Sequence, residues 1–348
     1  MKRNLAAIVF AAGMCILVAA CAVTSPPAQN PVSLGPPSAA AFALWPELSG
    51  RLGSYYAVST DEAADMAANG LSMVLGGRVA ESTLARHGLS YIDEYPWELI
   101  VTYGCHDYFV HASSSCHISE ASSATIVTLL QAHLAARQGD PNVIAYWFLD
   151  DYPGGDISDL LETMHNMLAA ANHDPSSIFP RPALCGFGGQ ILPRSDTRKP
   201  NADPLLSYFK KALTNFRPSY CDMVALYPYA VNSGTGPNDP SQYDWSMTRL
   251  LPAMFKDLED LGWNSSKEPL VGIPQAFGCG QYVTPRESDI VTQMSAYCKA
   301  GAVALIAYSW DDGYHSKYPD RPYTEPVNSA AVRAGLASGF AQCQKYWP

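Results

Sequence analysis

The chain has 348 residues, 48% of them hydrophobic, with a formal net charge of -10. That length suits one large domain or two small ones, and α/β barrels of this size are commonly single domains. The acidic balance, with no long basic run, argues against a sequence-independent nucleic-acid binder.

The amino terminus opens with Met1-Lys2-Arg3, followed by an apolar run over 5–20. The run is too short for a stable membrane span and reads as an export signal. It ends in Leu17-Val-Ala-Ala-Cys21, which resembles a bacterial lipobox, so Cys21 is the expected lipidation site and 1–21 a signal peptide. The alternative is an ordinary secretory signal with an incidental Cys21. Residues 22–41 are rich in Pro, Ser, Ala and Gly and are expected to form a disordered tether. Both alternatives place the protein outside the cytoplasm, and the lipobox makes a lipid tail its expected membrane contact.

Export permits disulfides. Beyond Cys15 and Cys21 seven cysteines remain, an odd number that leaves at least one free or intermolecular. Cys105 and Cys116 bracket a polar loop and form the first expected pair, with Cys298–Cys343 the second. His106, His111 and His117 lie in or beside that loop, but no zinc-like spacing accompanies them. No metal or other cofactor is expected.

From 42 to 348 short apolar strands alternate with amphipathic helices. The expected strands are 53–58, 71–76, 89–92, 143–149, 183–187, 223–227, 270–273 and 303–309. Between them, Ile157, Leu160, Leu161, Met164 and Leu168 follow an Asp156 cap at helical spacing. Leu205, Leu206, Phe209, Leu213 and Phe216 form a similar stripe. Another runs from Leu250 to Leu261, with Pro252 in its first turn. Thr284-Pro285-Arg286-Glu287 reads as a capping box opening a further helix. Eight such units predict a single (β/α)8 barrel. The alternative, an open doubly wound sheet, lacks a glycine-rich phosphate fingerprint after the first strand.

Active sites of barrels lie at the carboxyl ends of the strands. Those ends read SYIDEYPW, FLDDYPGG, GFGGQ, LYPYA, IPQAFG and YSWDDG from the third strand to the eighth. Acids, amides, tyrosines and tryptophans gather there.

With WFLDDYPGG, GIPQAFG and AGAVALIAYSWDDG in these places, the chain resembles the TIM-barrel glycoside hydrolases over 51–313. It is similar to a bacterial and fungal group with an Asp-Glu-Pro-type motif after strand four. That group also carries Pro-Gln-Ala-Phe-Gly after strand seven and an aromatic-Ser-Trp ending on strand eight. The resemblance implies a proton-donating carboxyl on strand four, falling on Asp151 or Asp150, and a Trp310 floor beneath the sugar. Two departures stand out. Asp151 occupies the place of a Glu, and Gln275 stands where many retaining hydrolases place a nucleophilic Glu.

Glycosidic cleavage needs a proton donor and a second carboxylate. Neighbours on a regular strand point to opposite faces, so Asp151 is expected as general acid, with Asp150 beside it raising its pKa by like charge. Asp312 is the first expected partner, with Asp311 next to it and Glu94 as a further candidate. Glu94 could equally form a structural ion pair. Tyr227 and Tyr229 alternate at the end of strand six and are expected to hydrogen-bond a carboxylate or a substrate hydroxyl, with core packing the alternative for Tyr227; Gln275 is expected to orient a sugar hydroxyl or to satisfy buried backbone groups. A serine hydrolase would need Gly-x-Ser-x-Gly, which is absent. The expectation is therefore a monomeric, exported glycoside hydrolase acting on a polysaccharide. Its competitor is a non-catalytic glycan binder on a degenerate barrel.

Overall fold

Eight strands, all parallel, close on themselves in the order of the chain. The computed structural model describes residues 35–105, 116–150, 157–188, 216–229, 251–278, 282–311 and 324–348. The strands are β1 (Leu52–Tyr55), β2 (Met73–Leu75), β3 (Ser90–Asp93), β4 (Val143–Asp150), β5 (Ala183–Gly188), β6 (Met223–Tyr227), β7 (Leu270–Gly272) and β8 (Ala302–Ala307). β8 pairs with β1 through Gly53–Ile306, which completes the ring. Each expected strand is present. Near-continuous burial along all but β3 explains why apolar runs revealed them: a parallel barrel strand is covered on both faces.

Among the described residues the helices outside the ring are α1 (Ala39–Leu44), α2 (Thr60–Ala68), α3 (Glu81–Arg86), α4 (Tyr95–Ile100), α5 (Glu120–Arg137), α6 (Ser158–Asn172), α7 (Leu251–Asp260), α8 (Glu287–Lys299) and α9 (Ala330–Cys343). Two differ from expectation at their starts. α1 begins within the stretch read as tether, because Ser38 Oγ accepts the Ala41 N–H at 3.0 Å and caps it. α8 is capped by Arg286 and not by Thr284. Asp289 accepts the Arg286 N–H at 2.9 Å and its guanidinium Nε at 3.0 Å, so the acid three residues on selects the later start. The stripe at Leu205–Leu213 and the Asp156 cap lie outside the described residues.

Among the described residues three disulfides link neighbouring segments. Cys105–Cys116 and Cys298–Cys343 are the two expected pairs, and the second joins α8 to α9. Cys185–Cys221, which joins the outer face of β5 to the chain entering β6, was not anticipated. Cys21 and Cys279 lie outside the described residues.

One buried cation holds the lower end of the wall between β4 and β5. Arg181, 2% exposed, donates from Nε to Val143 O at 2.6 Å and from a terminal nitrogen to Asp140 O at 2.6 Å. Both Asp140 and Gln138, which accepts at 3.3 Å, follow the carboxyl end of α5, where a helix favours positive charge. Arg181→Met should therefore cost about 3–5 kcal/mol in chemical denaturation, because buried carbonyls lose their donor. A cost under ~1 kcal/mol would show those carbonyls to be satisfied without Arg181.

Candidate active site

The strand ends are built by alternation, with one interruption that decides which acid faces the mouth. Ile92 pairs with Ala145 and Asp93 with Tyr146, so the two pairs point to opposite sides of the wall. Asp93 points outward. Its Oδ2 lies 2.5 Å from His133 Nε2 and 3.4 Å from Arg137 Nε, both on α5, while Tyr95 stacks on the His133 ring at 4.1 Å. Glu94, next along the chain, turns to the mouth and lies over Gly76. A Cβ there would collide with the Glu94 carboxyl, and the φ of 65° at Gly76 also favours glycine.

On β4 the register slips. Trp147 pairs with Leu184, but Asp150 pairs with Gly186, so three steps on one strand match two on the other. The extra residue resets the alternation and puts Asp150 on the same face as Trp147. That face is the barrel interior, since the Trp147 ring packs edge-on against Tyr55 at 5.6 Å. Gly186 leaves the room this needs: a Cβ there would strike the Trp147 ring. Tyr227 on β6, paired with Gly188 on β5, shares that face and donates its hydroxyl hydrogen to Asp150 Oδ1.

Aromatic rings complete the bowl. Tyr55 meets Tyr308 at 4.9 Å, Tyr308 meets Tyr229 at 5.6 Å, and Tyr229 meets Phe277 at 5.2 Å and Tyr282 at 5.7 Å. Tyr56 and Tyr229 hold left-handed backbone, with φ of 55° and 28°. Such positions cost a non-glycine residue about 1–3 kcal/mol and cluster where a site over-determines the backbone. Tyr55, Tyr56, Tyr282 and Tyr308 were missed as site residues; the crowding of tyrosine at strand ends was their signal.

Electrostatics single out Glu94. Burial, then the neighbouring Glu98, then Asp150 and Asp93, push its carboxyl up to about 8. Burial and the nearby Asp150 charge also hold the Tyr55 hydroxyl far above its ordinary range. A second carboxyl pair closes the seam between β8 and α2. Burial and Asp311 raise Glu62, which also accepts the Val58 N–H at 2.9 Å.

Two further expected site residues, Trp310 and Gln275, are buried beside the bowl. Trp310 is fully buried, its backbone N–H donating to Tyr55 O at 2.9 Å. Gln275 is likewise buried. Its amide donates to Phe277 O at 3.1 Å and Val283 O at 3.2 Å, which makes it a brace for the turn after β7. Asp151 and Asp312 lie outside the described residues.

No protein-family model and no curated protein sequence matches the chain. Among solved structures it is similar to GH5_18 from Streptomyces cattleya in complex with GlcNAc. The TM-score is 0.51 at 11% identity, covering 86% of this chain and 82% of that one. A class V chitinase from Pseudomonas fluorescens aligns with a TM-score of 0.44 at 13% identity, over 83% of this chain and 99% of that one. A β-glucuronidase from Ruminococcus gnavus in complex with D-glucuronic acid aligns with a TM-score of 0.40 at 12% identity. That alignment covers 75% of this chain and only 42% of the glucuronidase. What is shared at such identity is the fold, a closed (β/α)8 barrel.

The Glu94 shift carries a signed consequence. Its folded-state pKa lies above the unfolded value, so its contribution to stability is complete below pH of about 4.5 and is lost as pH rises through about 8. Glu94→Gln should therefore gain on wild type as pH rises across that window, by about 2–4 kcal/mol at its upper end, read from pH-dependent denaturation. A gap that stays constant with pH would show Glu94 to titrate as an ordinary carboxyl.

Proposed function

We propose that the protein is an extracytoplasmic glycoside hydrolase that cleaves a polysaccharide at the mouth of its barrel. One observation carries the proposal: Asp150, held by Tyr227 of the tyrosine bowl, lies near enough to Glu94 that its charge, after burial and Glu98, helps push the Glu94 carboxyl up to about 8. Aromatic faces suit the apolar faces of sugars, and a few carboxyl groups among them give orientation and chemistry.

In this mechanism Glu94 gives its proton to the departing glycosidic oxygen as the bond to the anomeric carbon breaks. Asp150, ionised and fixed by the Tyr227 hydroxyl, either takes the proton of the attacking water or attacks the anomeric carbon itself. Asp93, clamped by His133 and Arg137 on the outer side of the wall, holds the end of β3 from which Glu94 projects. The expected role of Asp151 as acid stands as the rival assignment, with Asp312 as its partner.

The three disulfides fit an oxidising, extracytoplasmic location. Lipidation at Cys21, with the following residues as a tether, would keep the barrel at a membrane surface. Among the described residues no helix is long and apolar enough to cross a membrane.

A panel of polysaccharides and aryl glycosides tests the assignment with wild type, Glu94→Gln, Asp150→Asn and Asp151→Asn. Glu94→Gln should lower kcat about 10²–10⁴-fold on polysaccharide and abolish the fall in rate above pH ~8. Aryl glycosides, whose leaving groups need less protonation, should lose less. Asp150→Asn should impair both substrate types alike. Full activity in Glu94→Gln with none in Asp151→Asn would transfer the acid role to Asp151. Glycan binding without turnover by wild type would make the protein a binder.

A further inference from the structure

Glu94 stands at the joint between β3 and α4, and the residue before it takes over its role as cap. Asp93 Oδ1 accepts the Tyr95 N–H at 3.0 Å, so that carboxylate reaches across Glu94 and closes a tight turn around it. Glu94 occupies the cap position of α4 but makes no side-chain cap bond of its own. Its backbone, at φ -90° and ψ 0°, lies in the sparsely occupied region between helix and strand. The turn thereby leaves the Glu94 carboxyl to project over Gly76.

The other Asp93 oxygen is held from outside the ring. Oδ2 lies 2.5 Å from His133 Nε2 and 3.4 Å from Arg137 Nε, and with the Asp93 side chain 3% exposed these contacts replace most of its water. His133 and Arg137 are one helical turn apart on α5, so both reach β3 from one face of the helix. The two are not equivalent. Arg137 also lies 2.6 Å from Glu81 and 3.6 Å from Asp140, so three carboxylates share it. His133 makes the shorter contact with Asp93, and the Tyr95 ring stacked on it fixes the plane of the imidazole. Tyr95 thus meets both members of the pair, Asp93 through its N–H and His133 through its ring.

We propose that His133 is a positioning residue for the proton donor. From the outer helix layer it holds the Asp93 carboxylate, and through the turn which that carboxylate closes it aims Glu94 into the mouth. The proposal rests on the assignment of Glu94 as acid. A carboxylate nearly cut off from water turns toward solvent or takes up a proton once a partner is removed. Either change loosens the bond to the Tyr95 N–H and with it the backbone conformation at Glu94. Misplacing a catalytic group by about 1 Å can cost on the order of 10² in rate. The cost falls on proton transfer to the departing oxygen, so it grows with the protonation that oxygen needs.

Two substitutions separate the donor from the ring. His133→Phe keeps a ring against Tyr95 and removes the donor to Asp93, whereas His133→Gln keeps a donor near the Nε2 position and removes the ring. On polysaccharide, His133→Phe should lower kcat on the order of 10²-fold with KM unchanged. Nitrophenyl glycosides, whose leaving group departs with little help from an acid, should lose far less, and His133→Gln should recover most of the polysaccharide rate. Equal losses on the two substrate types, the mark of a merely structural role, would overturn the proposal. So would wild-type kcat in His133→Phe, or no recovery in His133→Gln. If the wild type turns over no glycan, the hydrolytic reading fails by itself, and the carbon-13 signal of the Glu94 carboxyl decides the positioning role. That signal should move in His133→Phe and return in His133→Gln; a signal identical in all three proteins would overturn the role of His133.

Discussion

Carboxyl groups at the end of a closed apolar ring have little water to solvate their charge, and that constraint governs the molecule's chemistry. The interior of the ring is filled by side chains from all eight strands, so an acid reaching over it must share charge with its neighbours or keep its proton. Glu94 does the latter, pressed by burial, by Glu98 and by Asp150. Asp150 instead takes a hydrogen bond from Tyr227. Two acids in one hollow thereby acquire different environments, which is the physical requirement for dividing acid and base roles between them.

The supporting structure maintains that difference. Asp93 is pinned outward by His133 and Arg137, which fixes the end of β3, while glycines at 76 and 186 leave room for the Glu94 carboxyl and the Trp147 ring. The bowl itself is lined by tyrosines that pack edge to face, and two of them hold left-handed backbone. None of these features is needed merely to close a barrel. They are the kind of local rule-breaking that sequences retain at sites of function.

The ring was legible because strands covered on both faces must be apolar throughout, as in Val143–Leu149 and Met223–Tyr227. The site was legible only as a region. Regular alternation sends Asp150 and Asp151 to opposite faces and made Asp151 the expected acid. The slip between Trp147 and Leu149 is a property of pairing with β5, invisible along β4 alone, and it turns Asp150 inward. Trp310 and Gln275 sit at strand ends as expected, yet local turns bury both. The Cys185–Cys221 bridge escaped notice because Cys185 lies in a strand whose apolar run already explained it.

The most direct test of this division of labour is a carbon-13 titration of the Glu94 side-chain carboxyl in the intact protein, assigned by its loss in Glu94→Gln. Ionisation near pH 8 that moves downward in Asp150→Asn is the predicted result. A titration near the ordinary carboxyl value of 4.5, indifferent to Asp150, would mean that the two acids do not share the hollow.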